Sequence, residues 1–174
     1  MVGTRRAHVR KSGKGSTGFD KILVPLDGSE FAERALPYVQ RLERTDAEVI
    51  LLRAVASASQ LAASAGAAPM PGMTDFVQLS EDSRREAQTY LDAVATRLRE
   101  RGVRSRVVVV LAAAAEAITR AAEESKVDVI AITSHGRSGI ERVVFGSVAD
   151  AVVRNSTRPV FVVPMRQADR DGLG

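Results

Sequence analysis

VDVIAITSHGRSGIERVVFGSVADAVVRNSTRPVFVV (Val127–Val163) runs from an apolar stretch through a polar, glycine-bearing connection and a helix to a second apolar stretch. Val127–Thr133 and Pro159–Val163 read as strands, and neither shows the alternation of a strand with one wet face, so helices must cover both faces of their sheet. Ser134–Phe145 is the connection, and Gly146-Ser147 opens a short helix that runs to about Asn155. Strand, crossover, strand is the unit of a parallel sheet, and the crossover is right-handed.

The same unit repeats upstream. KILVPL (Lys21–Leu26) is a short buried strand that runs into Asp27-Gly28-Ser29, a turn signal. Ser29 caps the next helix, with Glu30 in the first turn where an acid suits the dipole. Phe31, Ala35, Val39 and Leu42 mark one face of that helix, and Pro37 predicts a kink in it. EVILLRAV (Glu48–Val55) is the second strand. Residues 56–80, rich in Ala, Ser, Gly, Pro and Met, show no clear period and read as a long flexible loop. A helix follows over Glu81–Arg101, with Ala87, Tyr90, Leu91, Val94, Ala95 and Leu98 as its buried stripe and Gly102 as its stop. RSRVVVVL (Arg104–Leu111) is the third strand and Ala113–Ser125 an alanine-rich helix leading back to Val127. The order β-α-β-α-β-α-β-α-β predicts an α/β fold, a single-domain doubly wound parallel sheet of five strands.

Composition narrows the function. The 174 residues suffice for one core, and only 4% are aromatic, so Val, Leu, Ile and Ala must build it. With no cysteine, disulfides, thiol nucleophiles and thiolate metal sites are excluded. Two histidines, His8 and His135, are too few for a histidine-based metal cluster. The formal charge of +4 lies in the leader: without Arg5, Arg6, Arg10, Lys11 and Lys14, 20 basic residues face 21 acidic ones. Residues 1–19 are expected to be a basic disordered tail, 20–165 the folded domain, and 166–174 a charged tail. No segment reaches the ~18–20 apolar residues of a membrane span, and the chain opens without the apolar stretch of a secretory signal, so a cytoplasmic setting is expected.

In a doubly wound sheet, ligands bind beyond the carboxyl ends of the strands, where connections diverge to opposite faces. Strand one places Asp27 at that rim. The end of strand four has the logic of a phosphate cradle. Gly136 and Gly139 let backbone approach an anion, and Gly146-Ser147 starts a helix whose unpaired N–H groups attract negative charge. The plain alternative is a tight turn before a capped helix, and Arg137 and Arg142 are candidates either for phosphate contact or for solubilising charge. The pattern is not a P-loop, because no Gly-Lys-Ser or Gly-Lys-Thr follows a glycine-rich turn after strand one. His135 has no local orienting carboxylate and reads as structural.

The stretches ILVPLDGSE (Ile22–Glu30), VILLRAV (Val49–Val55) and SHGRSGIERVVFGSVADAVVRNSTRPVFVVP (Ser134–Pro164) resemble universal stress proteins. The family motif is Gly, two residues, Gly, nine residues, then Gly followed by Ser or Thr. Gly136, residues 137–145 and Gly146-Ser147 match it, while Thr133 stands at the first glycine position. The resemblance implies strand order 3-2-1-4-5 and ATP (or ADP or AMP) at the rims of strands one, two and four. By position, Pro25 shapes the turn, Asp27 bonds the ribose side, Ala54 lies against adenine, and Ile132 and Thr133 flank the ribose. Gly136, Gly146, Ser147 and Val148 line the phosphates, with Mg²⁺ shared there. It also implies a homodimer through Pro159–Val163, which agrees with the need to cover an apolar edge strand. The expected role is an ATP-binding regulatory domain in stress response with at most slow ATP hydrolysis and an unknown protein partner. A nucleotide-independent dimeric interaction module of the same fold is the alternative. A nucleotidyltransferase would need a paired-histidine phosphate motif, and only His135 is available.

Overall fold

A computed structural model describes residues 18–66, 73–134 and 146–164. Its order is β1 (Phe19–Pro25), α1 (Glu30–Glu33), α2 (Leu36–Leu42), β2 (Glu43–Val55), α3 (Ala58–Ser64), α4 (Met73–Glu100), β3 (Arg104–Leu111), α5 (Ala114–Glu124), β4 (Val129–Thr133), α6 (Ser147–Asn155) and β5 (Val160–Val163). The five strands form one sheet, β3-β2-β1-β4-β5, and every pairing is parallel. Fold class and strand order agree with expectation.

Strand alternation divides the core into two layers. Ile22, Val24, Val49 and Leu51 pack with Ala32, Val39, Leu91, Val94 and Leu98 on the face covered by α1, α2 and α4. Leu23, Ile50, Leu52, Ile130 and Ile132 pack with Ile118, Ala122, Ala149 and Val152 on the face covered by α5 and α6. Because both faces are dry, the strands read as unbroken apolar runs.

Three local features differ from the sequence reading. First, Pro37 does more than kink a helix. The helix stops at Glu33, and a new one starts with Pro37 in its first turn, where a missing N–H costs nothing. Second, residues 56–80 are not a loop throughout. Ser57 caps α3 in a full capping box with Gln60, and α4 already starts at Met73, well before Glu81. The α3–α4 pairing and the Ser80 hydroxyl, which donates to the Ala56 carbonyl at 3.1 Å, hold this region where the α4 stripe gives no periodic signal. Third, β2 starts at Glu43. Its first residues pair Phe19 with Glu43, and the register then shifts to Lys21 opposite Glu48.

The sheet splits where its connections change face. β1 pairs with β2 as far as Pro25↔Leu52 but with β4 only as far as Leu23↔Ile130. Alternation points the Pro25 nitrogen toward β4, and proline has no N–H to donate there. Beyond Leu23, β1 and β4 separate into a crevice. Among the described residues, no helix is long and apolar enough to cross a membrane.

Candidate functional site

A cleft of about 280 Å³ lies at this split, on the α5/α6 side of the sheet. That is just below the ~300–1,000 Å³ typical of small-molecule sites. Pro25, Leu26 and Asp27 from β1, Leu52 and Ala54 from β2, and Ile132, Thr133 and Ser134 from β4 form its floor and sides. Gly146, Ser147, Val148 and Ala149 from α6 close one end, and Ala114 and Ile118 from α5, with Ala32 from α1, complete the lining.

Asp27 is fixed by its own turn. Its Oδ1 accepts from the Ser29 backbone N–H at 2.9 Å and from the Ser29 hydroxyl at 2.6 Å, while Ser29 Oγ accepts from the Ala32 N–H at 3.2 Å. Gly28, with φ +87°, supplies the left-handed step that lets the turn close so tightly. The Asp27 carboxylate therefore both stabilises a turn and lines the cleft.

A second wall comes from the end of β2. Leu26 N–H donates to the Leu52 carbonyl at 2.8 Å, and Ala112 N–H donates to the Val55 carbonyl at 3.1 Å. Alternation then directs the Ala54 N–H and C=O to the side that β1 has left. Neither has a backbone partner among the described residues. Ala54 thus offers one donor and one acceptor, side by side, above an apolar wall of Leu52, Ile118 and Ile132.

The opposite end is electropositive. Gly146 is the N-cap of α6 and gives no side-chain cap, so the N–H groups of Ser147, Val148 and Ala149 have no acceptor inside the helix. The first intrahelical bond runs from Asp150 N–H to the Gly146 carbonyl at 2.9 Å. These amides and the helix dipole favour an anion. Gly146 N–H donates to the Ser134 carbonyl at 2.7 Å, so the exit of β4 and the entry of α6 meet at the cleft.

The cleft thus brings together Pro25, Asp27, Ala54, Ile132, Thr133, Gly146, Ser147 and Val148. Gly136, Arg137 and Gly139 lie outside the described residues, as does His135. Sequence reasoning did not name Leu26, Ala32, Leu52, Ser134 and Ala149 as lining residues, and it missed Ala114 and Ile118 of α5 altogether. Their signal was available, because Ala113-Ala114 follows the carboxyl end of β3 as Asp27 follows β1. Among the described residues no group of three or more His, Cys, Asp or Glu side chains converges to hold a metal ion.

A charged cluster sits behind the cleft, on the α4 side. Arg53, buried at 8% exposure, pairs with Glu86 at 3.5 Å and lies 5.4 Å from the Tyr90 ring centre. The Tyr90 hydroxyl donates to Glu33 at 3.0 Å, and Arg97 pairs with the other oxygen of Glu33 at 2.6 Å. Burial first, then the Glu33 hydrogen bond and the charges of Glu33 and Asp27, push the Tyr90 phenol well above its ordinary range, with Arg53 opposing. Tyr90 therefore keeps its proton at neutral pH.

Residues 18–164 match the profile of the Universal stress protein family. Universal stress protein MJ0577 of Methanocaldococcus jannaschii is 28% identical over 161 residues, covering 88% of this chain and 99% of the relative. Its solved structure superposes with a TM-score of 0.72 over 85% of this chain and 97% of that one. Universal stress protein MJ0531 of the same organism is 30% identical over 150 residues, covering 86% of this chain and 84% of its own length. A family protein from Arabidopsis thaliana, solved with AMP bound, shares the fold at a TM-score of 0.59 and 15% identity, covering 86% of this chain and 94% of that one.

Proposed function

Because this chain belongs to the universal stress protein family, we propose that it is a cytoplasmic regulatory protein that binds an adenine nucleotide, ATP in the first instance, and acts in stress response. One observation carries the reading: the Asp27 carboxylate, the Ala54 backbone pair, without a backbone partner among the described residues, and the first-turn amides of α6, without an acceptor inside the helix, line a single cleft. A nucleotide needs three different environments within one molecule's length, and the cleft has them in order. The donor and acceptor of Ala54 match the N1 acceptor and N6 donor of adenine, with Leu52, Ile118 and Ile132 against the ring. Asp27 accepts from ribose hydroxyls beside Pro25 and Thr133. The amides of Ser147 and Val148 receive phosphate at the Gly146 cap, with Gly136, Arg137 and Gly139 of the connection assigned to the same phosphates.

A family protein of the same fold from Arabidopsis thaliana was solved with AMP bound, which supports the reading. Mg²⁺ enters with the phosphates, a common way for that ion to be held. The acid in the cleft is committed to its turn through Ser29, which favours orientation of a ligand over general-base work, so hydrolysis is at most slow. The protein acts as a homodimer through β5. That strand is the sheet edge beyond β4, and its Phe161 packs on Tyr38 at 6.3 Å between ring centres.

Calorimetric titration of nucleotide-stripped protein tests the reading. ATP with Mg²⁺ should bind with micromolar or tighter affinity, and GTP at least about tenfold more weakly, because its base presents the opposite donor and acceptor at the Ala54 edge. Asp27→Asn keeps the shape of the turn but removes the charge, and should weaken ATP by about tenfold, the scale of one charge-assisted hydrogen bond. No binding of ATP, ADP, AMP or cyclic AMP would leave the nucleotide-independent interaction module as the better account.

A further inference from the structure

The ladder between β1 and β2 ends at Pro25↔Leu52 and the Leu26 N–H bond to the Leu52 carbonyl, two residues short of Asp27 and Ala54. β2 loses β1 as its neighbour after Leu52, so among the described residues Arg53, Ala54 and Val55 are tied into the sheet by β3 alone, itself an edge strand. The Asp27 turn leads directly into α1, a single helical turn of four residues. Among the described residues, no ladder pairing joins these two segments beyond the Leu26 to Leu52 bond. On the far face of the sheet, however, both are gripped by one side chain of α4. The Tyr90 ring lies under the guanidinium of Arg53, the residue next to Ala54, while its hydroxyl donates to Glu33, the last residue of α1. Glu86 and Arg97, about one and two helical turns away on α4, hold the outer ends of the same two contacts.

We propose that Tyr90 is a positioning residue that sets the spacing between the base wall at Ala54 and the sugar wall at Asp27, and so selects ligands that span both. The inference rests on the adenine-nucleotide reading above. Its physical basis is that the β1–β2 ladder stops two residues before each wall, so contacts outside the ladder set the last part of the spacing. A donor–acceptor pair and a carboxylate must be placed within about 0.5 Å to engage one rigid nucleoside together. The half-buried phenol, protonated at neutral pH, holds its bond to Glu33 without a competing ionisation.

Tyr90→Phe removes the Glu33 hydrogen bond and keeps the ring beneath Arg53, so the fold stands. Two measurements on the full-length protein decide the matter. In the ligand-free protein, hydrogen exchange at the Ser29 and Ala32 amides, which bond to Asp27 and to Ser29 Oγ, should quicken by about fivefold as the sugar wall loosens. In titrations, ATP affinity should fall by about tenfold, and the preference for ATP over 2′,3′-dideoxy-ATP should shrink toward unity. A purely structural role would lower stability without moving that preference. Unchanged exchange in the variant overturns the strut, and faster exchange with an unchanged preference overturns its part in selectivity. Wild-type protein that binds no adenine nucleotide would refute the proposed function instead, and exchange alone would then decide whether Tyr90 spaces the two walls.

Discussion

Replacing Ala54 with tryptophan should abolish adenine-nucleotide binding while leaving the protein folded. Ile50 and Leu52 project from β2 into the layer beneath α5 and α6, where they are 0% and 1% exposed. Ala54 is the next residue on that face, and there the layer ends and the cleft begins. An indole at this position occupies the space assigned to the base. Its neighbours, Ala114 and Ile118 among them, border the cleft, so the added volume extends into open space rather than into close-packed core. Steric exclusion of this kind removes the base contacts altogether, and ATP affinity should drop by at least about a hundredfold, or roughly 2.8 kcal/mol. Calorimetry reports the loss, and an unchanged melting temperature reports the intact fold. Retained affinity would place the base elsewhere.

The second large effect falls on stability. Ile130→Ala should cost about 2–5 kcal/mol, the range for deleting a large aliphatic side chain from a core that cannot collapse around the void. Ile130 is fully buried in β4, paired with Leu23 on one side and Val160 on the other, and packed in the layer with Ile118 and Val152. Parallel pairing on both sides leaves the strand no room to shift into the gap. For a chain of this size the midpoint should fall by about 5–15 °C, measured by thermal denaturation. The same deletion at Val153, 44% exposed on α6, should change the midpoint little.

The sheet was legible because its strands are buried on both faces. Runs such as Ile22–Val24 and Val49–Leu52 leave no other burial pattern open, and the turn after Leu26 announces itself through Asp27-Gly28-Ser29. Most of the cleft was legible for the same reason, since ligand sites of this fold lie at strand carboxyl ends. The region after β2 was misread because α3 and the first turns of α4 owe their stability to each other and to a cap. Their apolar residues leave no regular stripe, and Val77 and Leu79 stay exposed. The Ser57-to-Gln60 spacing was the one available signal. The cluster behind the cleft was harder to read. Arg53, Tyr90 and Glu33 are far apart in sequence, and Tyr90 fits its helix stripe as an ordinary core residue. Only the charge inside VILLRAV, a lone arginine in a buried strand, hinted that something on the opposite face receives it.

Amide chemical-shift mapping tests most directly whether one ligand engages all three walls at once. On addition of ATP and Mg²⁺ to isotopically labelled protein, the largest perturbations should fall together, with a common saturation curve, on Asp27–Ser29, Ala54 and Ser147–Ala149. Perturbations that spare Ala54 and the first turn of α6, or that cluster on β5 and α2 instead, would contradict the account.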